Sequence, residues 1–480
     1  MLILRVTEAF VLSNYTYQET HFLEGAVHKN IHMIGIGGSS MSGLAEFLMH
    51  CGFTVSGSDA VQTEITDRLS ALGAKVFIGQ RAENIENPDL VVYTVAVKED
   101  NPEYAEVVRR NIPMIDRSVL LGELLARYPK SVSISGTHGK TTTTSMIASI
   151  LSFAGKQPNM HIGGTIKGQK SNMLLGGNEY FINEACEYYN SFLHFKSLIG
   201  VVLNIEPDHL DFFGSFENIL EAFRNFVSII PKEGSLVVCK DNEAALSVGS
   251  AACCKVFAYS TKDLSADYAA ADISFDKNGY GLYTLYRQGS PLGTVHLQIP
   301  GLHNISNSLA AIAVCMQLGC TPEEVTEGIQ TFTGTSRRFE IKGVYNDITV
   351  VDDYAHHPSE IKATIEAAKK GSYRKIWAAF QPHTYTRAKK FYHEFAECFA
   401  DCHQVVVTDI YAAREKDPGD IHSSQLAEAI HQCSHNAVYK SSLEEVATYL
   451  YEHAQPGDVI LSLGAGTINQ ICTKILEKEN

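Results

Sequence analysis

Gly136-Thr137-His138-Gly139-Lys140-Thr141-Thr142-Thr143-Thr144 lies between two runs of different period. Residues 131–135 read as a buried β-strand and residues 145–151 as a helix. A glycine turn between strand and helix aims backbone N–H groups and a helix N-terminus at an anion. Lys140 adds a point charge and Thr141 offers a hydroxyl to a metal, so Gly136 to Thr142 predict a cradle for nucleotide phosphates. The spacing is Gly-x-x-Gly-Lys-Thr, shorter than the commoner Gly-x-x-x-x-Gly-Lys-Thr, and this narrows the field.

Before this loop, short apolar strands at 32–35, 54–56, 75–77 and 90–94 alternate with amphipathic helices. That is βαβ grammar and predicts a parallel sheet covered on both faces. Between the first strand and its helix stands Gly35-Ile36-Gly37-Gly38-Ser39-Ser40-Met41-Ser42, where glycines let the backbone approach a diphosphate. About 20 residues on, Asp59 closes the second strand, the place of a ribose-reading acid. At this level the loop fits NAD(P), another nucleotide diphosphate, or a purely structural turn.

After the phosphate loop, Glu184 ends the strand at 180–183, and Asp208-His209 follows the strand at 200–204. Neighbouring strands would bring Lys140, Thr141, Glu184 and His209 to one sheet edge. A carboxylate, an imidazole and a hydroxyl there suit Mg²⁺ beside phosphates. The stretch 235–296 reads as an irregular β-rich part. Asn304 and Asn307 lie one helical turn apart, either reading an adenine edge as paired amides or capping the helix.

Residues 333–336 read as a hinge, followed by Arg337-Arg338, which domain closure would carry to a transferring phosphate and which otherwise is solvated surface. A third α/β unit has strands at 348–351, 375–380, 404–408 and 459–463. Asp352 and Asp353 end a strand and face opposite sides, so they cannot both serve one site. Tyr354, His356, His383 and Arg387 follow strand ends, and Arg387 suits bidentate binding of a carboxylate. Gly464-Ala465-Gly466 is a weak turn signal.

The chain of 480 residues suggests about three domains. We expect an extension at 1–30 and domains at 31–128, 129–336 and 337–480. The charge of −15 argues against a nucleic-acid partner. Eleven scattered cysteines without a Cys-x-x-Cys pair read as reduced thiols. No signal peptide and no apolar run of membrane-spanning length are legible, which predicts a cytoplasmic protein without membrane insertion.

Taken in order, Gly-Thr-His-Gly-Lys-Thr-Thr-Thr-Thr, Leu203-Asn-Ile-Glu-Pro-Asp-His-Leu-Asp211, Gly-x-His-Asn-x-x-Asn, Ser336-Arg-Arg-Phe339 and Asp-Asp-Tyr-Ala-His-His-Pro resemble the Mur ligase family over residues 31–476. The resemblance implies a Rossmann-like N-terminal domain, a central P-loop ATPase-type α/β domain and a C-terminal Rossmann-like α/β domain. It implies ATP-dependent amide formation between the lactyl carboxylate of UDP-N-acetylmuramate and L-alanine, with Mg²⁺ or Mn²⁺, by a monomer or homodimer. The alternatives are a recycling ligase that joins a preformed murein peptide to the same nucleotide and, from another class, an NAD(P)-dependent oxidoreductase.

By motif match, Lys140, His209, Arg338 and Asp353 would be catalytic. Gly136, Thr137, His138, Gly139, Lys140, Thr141, Thr142, Asn304, Asn307 and Arg338 would address ATP, and Thr141, Glu184 and His209 would hold metal. Gly35, Gly37, Gly38, Ser39, Ser40, Met41, Ser42 and Asp59 would hold the UDP sugar, which replaces the NAD(P) reading of that loop. Tyr354, His356, His383 and Arg387 would lie near amino acid and sugar. Two departures stand out. Cys186-Glu187-Tyr188-Tyr189-Asn190 replaces an acid-rich run, and Thr384 removes a guanidinium from a Pro-His-Arg-x-x-Arg pattern.

Overall fold

The computed structural model describes residues 30–413 and 415–477. The expected extension at 1–30 lies, apart from Asn30, outside the described residues. The chain divides after Arg127 into two compact units.

The first unit carries five strands, β1 (Asn30–Ile34), β2 (Thr54–Asp59), β3 (Lys75–Ile78), β4 (Leu90–Tyr93) and β5 (Met114–Asp116). All pairings are parallel, in the order β3-β2-β1-β4-β5. The order reverses at β1, so a crevice opens beyond the carboxyl ends of β1 and β4. Gly35 to Gly38 leave β1 at that point and enter the helix Ser39–His50. β1 is buried from Ile31 onward, as expected for a strand covered on both faces.

The second unit holds two sheets. The larger is built from β6 (Lys130–Ser135), β7 (Asn159–His161), β8 (Met173–Leu174), β9 (Tyr180–Glu184), β10 (Ile199–Val202), β11 (Ser235–Cys239), β12 (Lys255–Ser260), β13 (Tyr268–Phe275), β14 (Tyr280–Arg287) and β15 (Ser290–Pro300). Its order is β15-β14-β13-β12-β11-β10-β6-β9-β7-β8. The strand that feeds the phosphate loop, β6, therefore lies between β9, which ends on Glu184, and β10, which leads to His209. The irregular β-rich stretch resolves into parallel β11 to β13, followed by antiparallel β14 and β15 with register shifts.

The helix after the phosphate loop, Lys140–Phe153, packs against the helix Leu302–Gln317. Met146, Ile147, Ile150 and Leu151 join Leu309, Ile312 and Ala313 in one buried core. This packing brings Asn307 to the loop: a Cβ at Gly139 would stand 2.5 Å from Asn307 Oδ1. Gly139 also has φ +88°, which favours glycine.

The smaller sheet comprises β16 (Glu340–Tyr345), β17 (Ile348–Asp353), β18 (Ile376–Phe380), β19 (Gln404–Val407), β20 (Ala437–Tyr439) and β21 (Val459–Leu463), ordered β16-β17-β21-β18-β19-β20. Five of these strands run parallel, and β16 pairs antiparallel with β17 through a tight turn. Among the described residues no helix is long and apolar enough to cross a membrane, and the cysteines form no disulfide.

In β2, Gly57 has no room for a side chain. A Cβ would lie 2.5 Å from the Met33 carbonyl oxygen and 2.8 Å from Ile36. Gly57→Ala should destabilise the first unit by about 1–3 kcal/mol through overpacking. Denaturant unfolding of the two proteins measures the difference.

Candidate functional site

The phosphate loop is pinned by a side chain just beyond the end of the neighbouring strand β10. Asn204 Oδ1 accepts the His138 N–H at 2.8 Å, and Asn204 Nδ2 donates to the His138 carbonyl at 3.0 Å. The Thr137 N–H donates to the Asn204 carbonyl at 3.0 Å, and Thr137 Oγ1 accepts the Glu206 N–H at 2.9 Å. One asparagine thus continues the β6–β10 ladder into the loop and fixes it before any ligand arrives.

Lys140 Nζ folds back onto the loop, donating to the carbonyls of Gly136 (2.5 Å) and Thr137 (3.1 Å) and pairing with Glu187 Oε2 at 3.1 Å. Burial alone would lower its pKa; Glu187, Cys186 and Glu184 outweigh it and raise the pKa, so the ammonium stays charged. Glu184 is the opposite case. Burial lifts its pKa, opposed by the Thr141 hydroxyl, Lys140 and the Gly163 N–H. Its buried Oε1 has no hydrogen-bond partner. An orphaned carboxylate oxygen beside a threonine hydroxyl is a donor set that fits a divalent cation. His209, with φ 50°, turns to other neighbours: its ring stacks on Tyr188 (4.4 Å, 26°) and Nε2 lies 3.8 Å from Asp208 Oδ2.

A cavity of about 300 Å³ opens beside the loop. Its lining includes Thr141, Thr142, Asn304, Asn307, Arg338 and Asp353 together with His138 and Gly139. The volume is at the lower end of the range of about 300–1,000 Å³ for small-molecule pockets. Asn304 Nδ2 donates to the Pro300 carbonyl (2.7 Å), and Asn307 Nδ2 donates to Asn304 Oδ1 (3.1 Å). The N-cap of this helix is Gly301, so neither asparagine is the capping residue. His303, also on the wall, has its pKa pushed down to about 4 by burial and by Arg338.

The arginine pair splits. Arg337 Nε bonds Asp352 Oδ2 (3.1 Å) and Nη2 donates to the Gly464 carbonyl (2.6 Å), which fixes the fold and gives the Gly464 turn a purpose. Arg338 enters the cavity wall, with its guanidinium 5.4 Å from the Tyr354 ring centre and 3.7 Å from Glu360 Oε1. Asp353 accepts the N–H groups of Phe339 and Ala355, each at 2.8 Å. Burial pushes its pKa up to about 6, against the pull of Arg338.

Beyond Asp353 a second cluster forms. The His356 ring lies 5.3 Å from Tyr354 and 5.4 Å from His383. Arg387 lies 3.3 Å from His383 Nδ1 and 3.4 Å from Asp208 Oδ1. Burial, aided by Arg387, depresses His356 and His383 to about 4, so both rings are neutral near pH 7. Asp208 is held well below the usual carboxylate range: His209 and Arg387 overcome its burial.

In the first unit, Asp59 Oδ2 accepts the Gly37 N–H (2.9 Å), and the Ser58 carbonyl accepts those of Gly35 (2.8 Å) and Ile36 (2.9 Å). Asp59 therefore shapes the glycine loop itself. Arg117 Nη1 donates to Ser40 Oγ at 2.8 Å. Met41 and Ser42 are buried in the first turn of the helix that begins at Ser39, and Ser42 Oγ donates to the Ser39 carbonyl at 2.9 Å.

Sequence reasoning passed over Glu187, Asn204 and Glu360. Glu360 Oε1 bonds His138 Nδ1 (3.2 Å), while Oε2 accepts the N–H groups of His356 (3.1 Å) and His357 (3.3 Å). The signal for it was local: an acid two residues after His-Pro marks a helix start, the helix Pro358–Lys370.

Comparison with known proteins gives a consistent result. Family models match residues 30–129 (Mur ligase family, catalytic domain), 134–315 (Mur ligase middle domain) and 337–466 (Mur ligase, glutamate ligase domain). The chain is 48% identical to a UDP-N-acetylmuramate–L-alanine ligase of Acetivibrio thermocellus, over 95% of this chain and 97% of that one. It is 45% identical to the like-named protein of Caldanaerobacter subterraneus, over 94% and 98%. Among solved structures, the UDP-N-acetylmuramate–alanine ligase of Thermotoga maritima superposes with a TM-score of 0.80 at 28% identity, covering 94% of this chain and 99% of that one. A murein peptide ligase from Psychrobacter arcticus gives 0.68 at 26%, covering 94% and 98%.

His138 sits between two carboxylates, Glu206 (3.3 Å) and Glu360 (3.2 Å). Burial would lower its pKa, but the hydrogen bonds to both acids raise it to about 9. The unfolded chain releases this proton near 6.5. The resulting stabilisation is therefore full below that pH, declines above it and is gone above about 9. Glu360→Gln should shift the His138 titration down by about one unit or more, read from the His138 ring signals by NMR.

Proposed function

Because the chain belongs to the Mur ligase family, we propose that it is the ATP-dependent ligase joining the lactyl carboxylate of UDP-N-acetylmuramate to L-alanine in peptidoglycan precursor synthesis. The observation that carries the reading is convergence: the phosphate loop, Asn304, Asn307 and Arg338 line one cavity in a chain 48% identical to such a ligase over 95% of its length. The nicotinamide reading of the first loop falls with family membership.

In this reading residues 31–128 hold the UDP sugar on the Gly35–Ser42 loop, residues 129–336 bind ATP, and residues 337–480 receive the amino acid. The lactyl carboxylate oxygen attacks the γ-phosphorus of ATP; the bond to ADP breaks and an acyl phosphate forms. The L-alanine amine then attacks the acyl carbon, loses a proton, and the tetrahedral intermediate expels phosphate to leave the amide.

The work of the protein is positioning and charge neutralisation. Lys140 would exchange its loop carbonyls for phosphate oxygens, and Arg338 would meet the transferring group. Thr141 and Glu184, with its unpartnered Oε1, are the residues that would hold Mg²⁺ or Mn²⁺, whose chemistry is to neutralise phosphate charge. The family pattern adds His209 to that set. Arg387 would hold the amino-acid carboxylate, and the rings of His356 and His383, neutral near pH 7, would add no positive charge beside the incoming amine. A cytoplasmic location fits these soluble nucleotide substrates.

The recycling reading is disfavoured by the names of the relatives at 45–48% identity, each called an L-alanine ligase. Purified protein should release phosphate from ATP only with UDP-N-acetylmuramate, L-alanine and a divalent cation all present. Equal turnover with a murein tripeptide in place of L-alanine would overturn the assignment. Lys140→Ala should lower kcat by about a hundredfold or more with an unchanged circular dichroism spectrum; a rate near wild type removes Lys140 from the chemistry.

A further inference from the structure

His138, Glu206 and His357 are the one group of three metal-ligating side chains found close together among the described residues, with one ligand atom from each within 4.8 Å of the others. None is among the expected Mg²⁺ ligands. His357 is 7% exposed, and its buried Nε2 has no hydrogen-bond partner, whereas Nδ1 is engaged by Ser359 Oγ at 2.7 Å. His138 Nδ1 bonds Glu360 Oε1 at 3.2 Å, and Nε2 faces Glu206 Oε2 at 3.3 Å and Ser359 Oγ at 3.0 Å. His138 Nδ1 is oriented by a carboxylate oxygen, and His357 Nδ1 is fixed by Ser359, whose N–H also approaches it at 3.4 Å. A partner on the nitrogen that faces away from the ion is the support that metal-bound histidines require.

We propose that His138, Glu206 and His357 form a second metal site, specific for a transition-metal dication of the Zn²⁺ class. Two imidazoles and one carboxylate suit Zn²⁺, Co²⁺ or Ni²⁺ and are poor ligands for Mg²⁺, which takes oxygen donors. Three protein ligands leave a fourth tetrahedral position for water or a phosphate oxygen. The metal replaces the His138 Nε2 proton, which leaves to solvent, together with the contacts of that nitrogen to Glu206 and Ser359 Oγ. It ties the phosphate loop to the start of the helix Pro358–Lys370, both of which line the nucleotide cavity. Occupancy would hold those two walls together, a control independent of the Mg²⁺ that accompanies ATP.

The test needs no substrate, so its outcome is separate from the ligase assignment. Co²⁺ added to the nucleotide-free, full-length protein should produce the visible absorption of a tetrahedral site, and Zn²⁺ should abolish it. His357→Gln should remove the band and weaken Zn²⁺ binding about tenfold or more, with Glu206→Gln as the second variant should the first not fold. His209→Gln should keep the band. The proposal is overturned by a missing band in the unaltered protein, by its survival in either ligand variant, by its loss in His209→Gln, or by a thiolate-to-cobalt charge-transfer band that places the ion on cysteine.

Discussion

A carboxylate withdrawn from water needs charge and hydrogen bonds from the protein, and Glu360 takes them from three segments at once. The phosphate loop supplies His138, the residue pair after the hinge supplies Arg338, and the turn after β17 supplies the N–H groups of His356 and His357. These interactions hold its pKa well below the usual carboxylate range despite burial. The position of each wall of the nucleotide cavity therefore depends on the others through a single anion. Removing it would leave His138 with Glu206 alone and take from Arg338 its nearest carboxylate.

The same economy governs the other cations. Lys140 has Glu187, Arg338 has Glu360 and Arg387 has Asp208. A chain of charge −15 thus presents phosphate-binding groups that are already compensated. An incoming polyphosphate does not fall into a vacant positive hole; it competes with carboxylates for partners already in place. Such exchange keeps the unliganded site from storing unpaired buried charge, and it favours ligands that bring their own countercharge, as a metal-bound nucleotide does.

The three α/β segments and the phosphate loop were legible because they rest on local pattern: apolar period, a glycine turn, Lys140-Thr141 opening a helix. The opposite facing of Asp352 and Asp353 followed from strand geometry, and the structure sends the first to Arg337 and the second to the cavity. What escaped was set by pairing between distant segments. Nothing near Glu187 marks it as the partner of Lys140, and nothing near Arg337 says that it serves Gly464 while Arg338 serves the cavity. The antiparallel β16 escaped for a different reason: it pairs locally across a tight turn, where the βαβ pattern looks for a partner beyond a helix.

Asn204 bears on how the molecule is made. The cradle for phosphate is encoded at 136–144, yet its shape is imposed by an amide about 66 positions further along, just past the end of strand β10. A chain growing from its N-terminus exposes the whole glycine loop well before that amide exists. Until β10 pairs with β6, the loop has no ladder to extend, and its donors face water without a common focus. Nucleotide competence is therefore a late acquisition in synthesis, and the nascent protein passes through a stage that carries the complete motif but not the site.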